Sequence, residues 1–301
     1  MVTSVFGHLT KKKKREPKQD LRDYEEDDNR TLAPMATENE TIKIAEGAEE
    51  CPVYVASIHD VGRRSMQQDS FGLSDTEDAA LVESKGILAV VADGMGGLED
   101  GERMSQMVVV SMLQGFDASS PEVPGDTLLR DLVDLANDAV NQDLGEEMIG
   151  KCGSTVVAVI IRENRLFWIS VGDSHIYVYR NGKLVKMNRD HNYGAQLDES
   201  VARGEISIEE ALSDKQRAAL TSFIGIGDLE LIDQNANPVG LETGDRVLLM
   251  SDGIYGTVPF ERLREILGQP LKQACLLIEK EIHEKNKVNQ DNYTCVILEM
   301  K

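Results

Sequence analysis

Residues 86–97 read GILAVVADGMGG. Gly86 to Ala92 is an unbroken apolar run, short enough for a buried strand. It stops at Asp93-Gly94, a carboxylate followed by a residue with no side chain. Two distant segments repeat the pattern. LLMSDGIYG (248–256) closes an apolar run at Asp252-Gly253, and NQDNYTCVIL (289–298) opens one after Asp291. If these last two runs are antiparallel neighbours, the end of one lies beside the start of the other. Three carboxylates then meet at one sheet rim, and carboxylates that close need cations to neutralise them. The expectation is a binuclear Mg2+ or Mn2+ site with hydrolytic chemistry.

The sequence around these runs predicts strands and helices in separate groups. Val53–Ile58 alternates as a strand, and 98–116 has helical spacing through Met104, Met107, Val108 and Leu113. A second helix is expected from an N-cap at Asp126, with Leu128, Leu129, Leu132, Leu135, Ala136 and Val140 in one stripe. A strand meander is expected next, over 155–161, 166–171, 175–180 and 183–187. Asn181-Gly182 is its hairpin turn. Residues 190–221 turn polar and partly helical and read as a surface subdomain, called the flap below. Val247–Met250 reads as a buried strand, 259–287 as mainly helix and Tyr293–Met300 as the closing strand. The pattern predicts an α+β fold, a layered sandwich of antiparallel sheets and helix pairs.

Residues 1–50 differ from the domain expected over 51–301. Lys11-Lys12-Lys13-Lys14-Arg15 precedes an acidic block at Glu25, Glu26, Asp27 and Asp28 with little apolar periodicity, which is the composition of a disordered extension. An electrostatic tether is its alternative role, and Met35 is a second candidate start. The net charge of −21 argues against broad nucleic-acid binding. The cysteines, Cys51, Cys152, Cys275 and Cys295, show no CxxC pair or zinc spacing, which fits a reducing cytoplasm. No apolar stretch has the length of a membrane span, and no signal-peptide core is evident.

Each chemical motif is ambiguous alone. Asp-Gly is usually a turn, Arg64 could be a surface residue, and Gly172-Asp173-Ser174 reads as a tight turn between strands. Their order is specific: Arg64 and Asp69, then 93–97, Gly153-Ser154-Thr155, 172–174, 251–253 and Asp291-Asn292. In this the chain resembles the metal-dependent serine/threonine protein phosphatases (the type 2C, or PPM, family), most closely the bacterial members, over roughly residues 52–300.

The resemblance implies two antiparallel sheets flanked by helix pairs, a four-layer α/β/β/α sandwich with the metal centre at one end. It implies that Asp93 bridges two Mn2+ or Mg2+ ions, that the Gly94 carbonyl binds one, and that Asp252 and Asp291 hold the other. Asp173 would serve a third, weaker metal site, Asp69 would support the centre, and Arg64 would bind phosphate. A metal-bridging hydroxide would attack phosphoserine or phosphothreonine directly, with no phosphoenzyme. The implied partners are phosphorylated proteins and a cognate serine/threonine kinase, for a monomeric enzyme. A pseudophosphatase binding module is the alternative from another class, and a nuclease-like phosphoesterase a third.

The chain departs from the family pattern at three positions. Met95 stands where many eukaryotic members carry histidine, which leaves the leaving-group proton to a metal-bound water or to His191. Gln67 replaces the usual asparagine, and His175 replaces an arginine common in bacterial members.

Overall fold

The structure is a computed structural model that describes residues 42–45 and 51–301. The basic run, the acidic block and Met35 lie outside the described residues. Ile42–Ala45, within the stretch expected to be disordered, forms an edge strand.

Two antiparallel sheets build the domain. The first runs, in spatial order, β1 (Ile42–Ala45), β2 (Val53–Asp60), β13 (Tyr293–Met300), β12 (Arg246–Met250), β8 (His175–Arg180) and β9 (Lys183–Lys186). The second runs β10 (Asp233–Gln234), β7 (Arg165–Val171), β6 (Val156–Arg162), β4 (Ile87–Met95) and β3 (Asp69–Leu73). Two short strands join it, β11 (Val239–Gly240) on β7 and β5 (Gly153–Ser154) on β4. The helices are α1 (Ala79–Lys85), α2 (Leu98–Ala118), α3 (Gly125–Met148), α4 (Tyr193–Ala202), α5 (Ile208–Ser213), α6 (Asp252–Tyr255), α7 (Phe260–Ile266) and α8 (Leu271–Lys285).

The apolar run at 87–92 has no polar alternation because both faces of β4 are covered. Leu88, Val90 and Ala92 pack with Met104, Val108 and Leu132 of α2 and α3. Ile87, Ala89 and Val91 pack across the sandwich with Val247, Leu249, Val296 and Leu298 of the first sheet. That sheet turns Leu248, Met250 and Ile297 outward onto Leu263, Ile266, Ala274 and Ile278 of α7 and α8. Helices, sheet, sheet and helices thus enclose three apolar layers, the four-layer α+β sandwich expected. Each fully buried Val, Leu or Ile contributes about 1.5–3 kcal/mol.

Three local expectations change. The meander is split: β6 and β7 pair in the second sheet, whereas β8 and β9 pair in the first. Gly172-Asp173-Ser174 is therefore a crossing between sheets rather than a hairpin turn. Helix α3 starts after Pro124, whose ring presets the helical φ, and Asp126 sits inside the first turn, where it faces the positive end of the helix dipole. Strand β4 runs through Asp93 to Met95 instead of ending before it, because β5 pairs with Gly94 and Met95. The Asn181-Gly182 turn has positive φ at both residues (50° and 77°), as a type I′ hairpin requires.

Candidate metal centre

Strand parity builds the site. Side chains alternate faces along a strand, so the set Ile87, Ala89, Val91 that fills the space between the sheets continues to Asp93. Asp69 lies directly opposite Asp93 in the β3–β4 pairing. On the other sheet, Val247 and Leu249 lead to Ser251, and Leu298 and Val296 lead back to Thr294. The inner apolar layer therefore ends at one edge of the sandwich in a polar cap. Strands β12 and β13 are antiparallel with Met250 opposite Cys295, which brings Asp252 and Asp291 to the same end, as the sequence argument required.

Hydrogen bonds join the two sheets here. One Asp69 carboxylate oxygen accepts from Ser251 Oγ and Thr294 Oγ1, both at 2.7 Å. Ser251 and Thr294 are themselves joined, through Ser251 N–H to the Thr294 carbonyl and Thr294 N–H to Ser251 Oγ, each at 3.0 Å. Asp93 is clamped through its backbone. Its N–H donates to Thr155 Oγ1 at 3.1 Å, and its carbonyl accepts from Thr155 N–H at 2.8 Å and Ser154 Oγ at 3.0 Å. Thr155 Oγ1 also lies 2.8 Å from Ser174 Oγ, which ties the 153–155 segment to the Asp173 crossing.

Both glycines that follow the aspartates are required by close approach. A Cβ on Gly94 would stand 2.0 Å from the Gly101 carbonyl oxygen, and one on Gly253 would stand 1.9 Å from that of Asn292. Asp252 opens α6, where the free N–H groups of the first turn favour a negative charge.

The carboxylates act on one another. Burial raises Asp69 to about 6, against the hydrogen bonds from Thr294 and Ser251 that hold it down. Burial, then the charge of Asp291, raises Asp252 to about 7. Asp93 is pushed well above the ordinary carboxylate range by burial and by Asp69, Asp252, Asp173 and Asp291. Burial also raises Asp173, opposed by the Asn192 amide, which donates to its Oδ2 at 3.3 Å. Arg64 Nη2 donates to Asp291 Oδ2 at 2.7 Å and supplies counter-charge. The donors are oxygens without thiolate or imidazole, the set that suits Mg2+ or Mn2+ rather than zinc. They fit such ions by chemistry. As placed, however, no three His, Cys, Asp or Glu side chains among the described residues form a ready chelate.

The three departures find places. Gln67 Oε1 accepts the Asp69 N–H at 3.0 Å, so the longer amide reaches back to cap the start of β3. His175 is a buried packing residue: its ring stacks on Tyr255 at 3.5 Å and 12°, and its Nε2 lies 3.0 Å from Asp190 Oδ1. Tyr255 in turn donates to the Asp173 carbonyl at 2.8 Å. His191 is buried, and its Nδ1 accepts the Gly172 N–H at 3.2 Å while its own N–H donates to the Gly172 carbonyl at 2.9 Å. It is a hook that holds the flap root.

Asn292 reads in the sequence only as a strand entry. In the structure its Oδ1 accepts from Gln68 N–H at 2.8 Å, and its Nδ2 donates to the carbonyls of Val61 and Met66 at 2.8 and 3.0 Å. It thereby fixes the loop that carries Arg64. Ser251 and Thr294 belong to no motif that assigns them this role; their parity with the buried residues of β12 and β13 is the signal that could have found them.

Comparison with known proteins decides the family. The protein phosphatase 2C profile matches residues 60–290. The chain belongs to that family. It is 28% identical over 249 residues to the serine/threonine phosphatase stp of Listeria monocytogenes, covering 80% of this chain and 93% of that protein. It is 31% identical over 235 residues to the serine/threonine protein phosphatase PstP of Mycobacterium tuberculosis, covering 75% of this chain and 42% of that one. The crystal structure of the Mycobacterium tuberculosis phosphatase PstP/Ppp superposes with a TM-score of 0.67 at 26% identity, covering 83% of this chain and 99% of that one. The catalytic domain of PstP has also been solved in complex with two manganese ions, and it matches with a TM-score of 0.66 at 26% identity over 82% of this chain and 97% of that one. The chain is a bacterial-type serine/threonine protein phosphatase that acts on phosphoproteins and depends on divalent metal. Among the described residues, no helix is long and apolar enough to cross a membrane.

Proposed function

We propose that Asp93, the Gly94 carbonyl, Asp252 and Asp291 would hold two Mn2+ or Mg2+ ions. Asp173 contributes to a third, weaker site. The observation that carries this reading is the convergence of buried carboxylates at one sheet edge, where burial first and then their mutual charge raise Asp93 and Asp252 above the ordinary carboxylate range, a cost that bound cations would relieve. A bound divalent pair would supply Lewis acidity and a nucleophile at neutral pH.

The remaining work falls to the chain. Asp69, gripped by Ser251 and Thr294, keeps the two sheet ends in register and accepts hydrogen bonds from water at the centre. Arg64 is half-exposed, on a loop anchored by Asn292, so its guanidinium can turn from Asp291 to a phosphoryl group and grip it bidentately. Met95 has no proton to give, so the departing alkoxide takes its proton from water at the rim, with His191, whose Nδ1 is engaged by the Gly172 N–H, as the second candidate through Nε2. Four buried free cysteines support a reducing, cytoplasmic setting, in which the enzyme opposes a serine/threonine kinase as a monomer.

The test is phosphate release from a phosphothreonine peptide with Mn2+, with EDTA, and with the Asp252→Asn variant. Release is expected to need the metal and to fall by roughly 10²–10³-fold in the variant, the scale for losing one preorganised charge-stabilising group. Undiminished turnover by Asp252→Asn would overturn the ligand assignment.

A further inference from the structure

We infer that a basic pocket on the far side of the Arg64 loop binds an acidic side chain of the substrate, flanking the phosphoresidue. This inference rests on the phosphatase reading above. The pocket is a cavity of about 180 Å³ between the 60–63 loop and the C-terminal end of α8. Its lining includes Arg63, His283, Asn286 and Lys287, together with Asp60 and Tyr293.

The state of its cations singles it out. On a chain of net charge −21, many arginines are tied to carboxylates, as in Arg180–Asp245, Arg217–Asp198, Arg246–Glu299 and Arg262–Glu281, and Arg162 is spent on the backbone carbonyls of Lys85, Pro121 and Val123. Arg63 instead donates to the Asn286 side-chain carbonyl at 3.0 Å, and Lys287 to the Gly256 carbonyl at 2.5 Å. Both face a neutral oxygen instead of a carboxylate, and both are exposed. Asp60, the acid in the wall, is committed to the loop: its Oδ1 accepts the Gly62 N–H at 2.7 Å, and it shares a hydrogen bond with the Tyr293 phenol.

The negative end of α8 accounts for His283 and Lys285, which lie in its last turn. It does not account for Arg63, which arrives from the opposite loop, or for Lys287, whose bond goes to Gly256.

Position supplies the ligand. Arg63 N–H donates to the Gln290 carbonyl at 2.9 Å, and Gln290 precedes Asp291. The backbone at 61–64 and 290–291 is therefore one wall with the carboxylate rim and Arg64 on one side and this pocket on the other. A peptide with its phosphoryl group at Arg64 carries its neighbouring residues over that wall. A carboxylate or second phosphoryl group there meets Arg63 and Lys287, and charge-assisted hydrogen bonds of this kind discriminate between partners.

The experiment uses the full chain and three phosphothreonine peptides, flanked by neutral residues, by glutamates or by a phosphoserine. It measures kcat/KM with Mn2+ and, separately, equilibrium binding in EDTA by fluorescence anisotropy. The wild type is expected to favour the acidic peptides by about fivefold or more, the scale of one or two exposed charge pairs. In the Arg63→Gln/Lys287→Gln variant this ratio falls towards one, whereas Lys285→Gln, a cation outside the pocket wall, retains it. The glutamate and phosphoserine arms separate carboxylate from phosphoryl recognition. Equal turnover of all three peptides by the wild type would overturn the pocket and leave the phosphatase reading standing. An equal loss of the ratio in Lys285→Gln would also overturn it, by showing a diffuse field. Preferential binding of acidic peptides without phosphate release would keep the pocket and overturn the phosphatase reading.

Discussion

Two segments meet at the Gly172-Asp173-Ser174 crossing, and they are held in opposite ways. On one side stands β4, buried from Ile87 to Ala92, with the backbone of Asp93 gripped by Ser154 and Thr155. On the other side the flap buries only Gly194, Leu197 and Ala211 between Tyr193 and Thr221. Its α5 leaves Ile208 and Leu212 60% and 66% exposed. The flap is held at its root, where His191 and Asn192 bond to Gly172 and Asp173. The aspartates inherit their positions from a packed core, whereas the flap inherits its position from a few hydrogen bonds. A change at the rim therefore costs folding or chemistry, and a change in the flap alters only what approaches the rim.

Glycine substitutions give the sharpest contrast. A Cβ at Gly94 meets the backbone oxygen of Gly101 at 2.0 Å, and neither β4 nor α2 can move without disturbing the core between them. Gly94→Ala is expected to cost about 3 kcal/mol or more, at the upper end of overpacking. In the flap, a Cβ added at Gly204 would meet nothing within 4 Å, but the residue has a φ of +73°. Gly204→Ala is expected to cost about 1 kcal/mol, the strain of a left-handed residue. Urea unfolding of the two variants measures both. Similar costs would erase the distinction between rim and flap.

The same division explains what could be read from the sequence. The apolar runs, the helix stripes and the Asn181-Gly182 hairpin are local patterns, and β2, β8, α2 and β13 lie where those patterns put them. The positions of Asp93 and Asp252 were legible because an Asp-Gly at the end of an apolar run is a local sign, and that of Asp291 because it opens such a run. The split meander was not, because nothing in residues 166–180 states whether β8 pairs with β7 or with β12; that choice is made by distant partners. Ser251, Thr294 and Asn292 were missed for a related reason. Their roles are hydrogen bonds across 182, 225 and 224 residues of sequence. The short α6, with Asp252 at its start, shows no apolar stripe in a single turn.

An intermediate effect is expected from pH. A carboxyl whose folded pKa lies above its unfolded value of about 4 holds its proton more tightly in the native state. Its contribution to stability is complete below that unfolded value and is lost as the pH rises through the folded one. Asp69 at about 6 and Asp252 at about 7, with Asp93 also raised, place that loss between about pH 4 and 7. With EDTA, the melting temperature is expected to fall across this window; with Mn2+, the cations replace the protons and the fall disappears. General charge repulsion in a chain of net charge −21 acts in the same direction. Asp93→Asn separates the two causes, because it removes one raised carboxyl and leaves the surface as it was. An unchanged slope in that variant would assign the effect to the surface and not to the rim.

The smallest effect on stability belongs to α5. Leu212 is 66% exposed, so Leu212→Ser removes little buried area and is expected to change stability by no more than about 0.5 kcal/mol. Its effect should show instead in which substrates are turned over. The capping box at Ser207 and Glu210 keeps α5 helical without help from the core, so the apolar pair Ile208 and Leu212 is presented on a formed helix. A phosphorylated protein large enough to reach the flap loses that apolar contact in the variant, and its KM rises; a small aryl phosphate, bound at the rim alone, keeps both KM and kcat. Equal losses for the two substrates would mean that the flap acts on the rim through the His191 hook, and the separation of chemistry from substrate approach would fail at the point where the two segments meet.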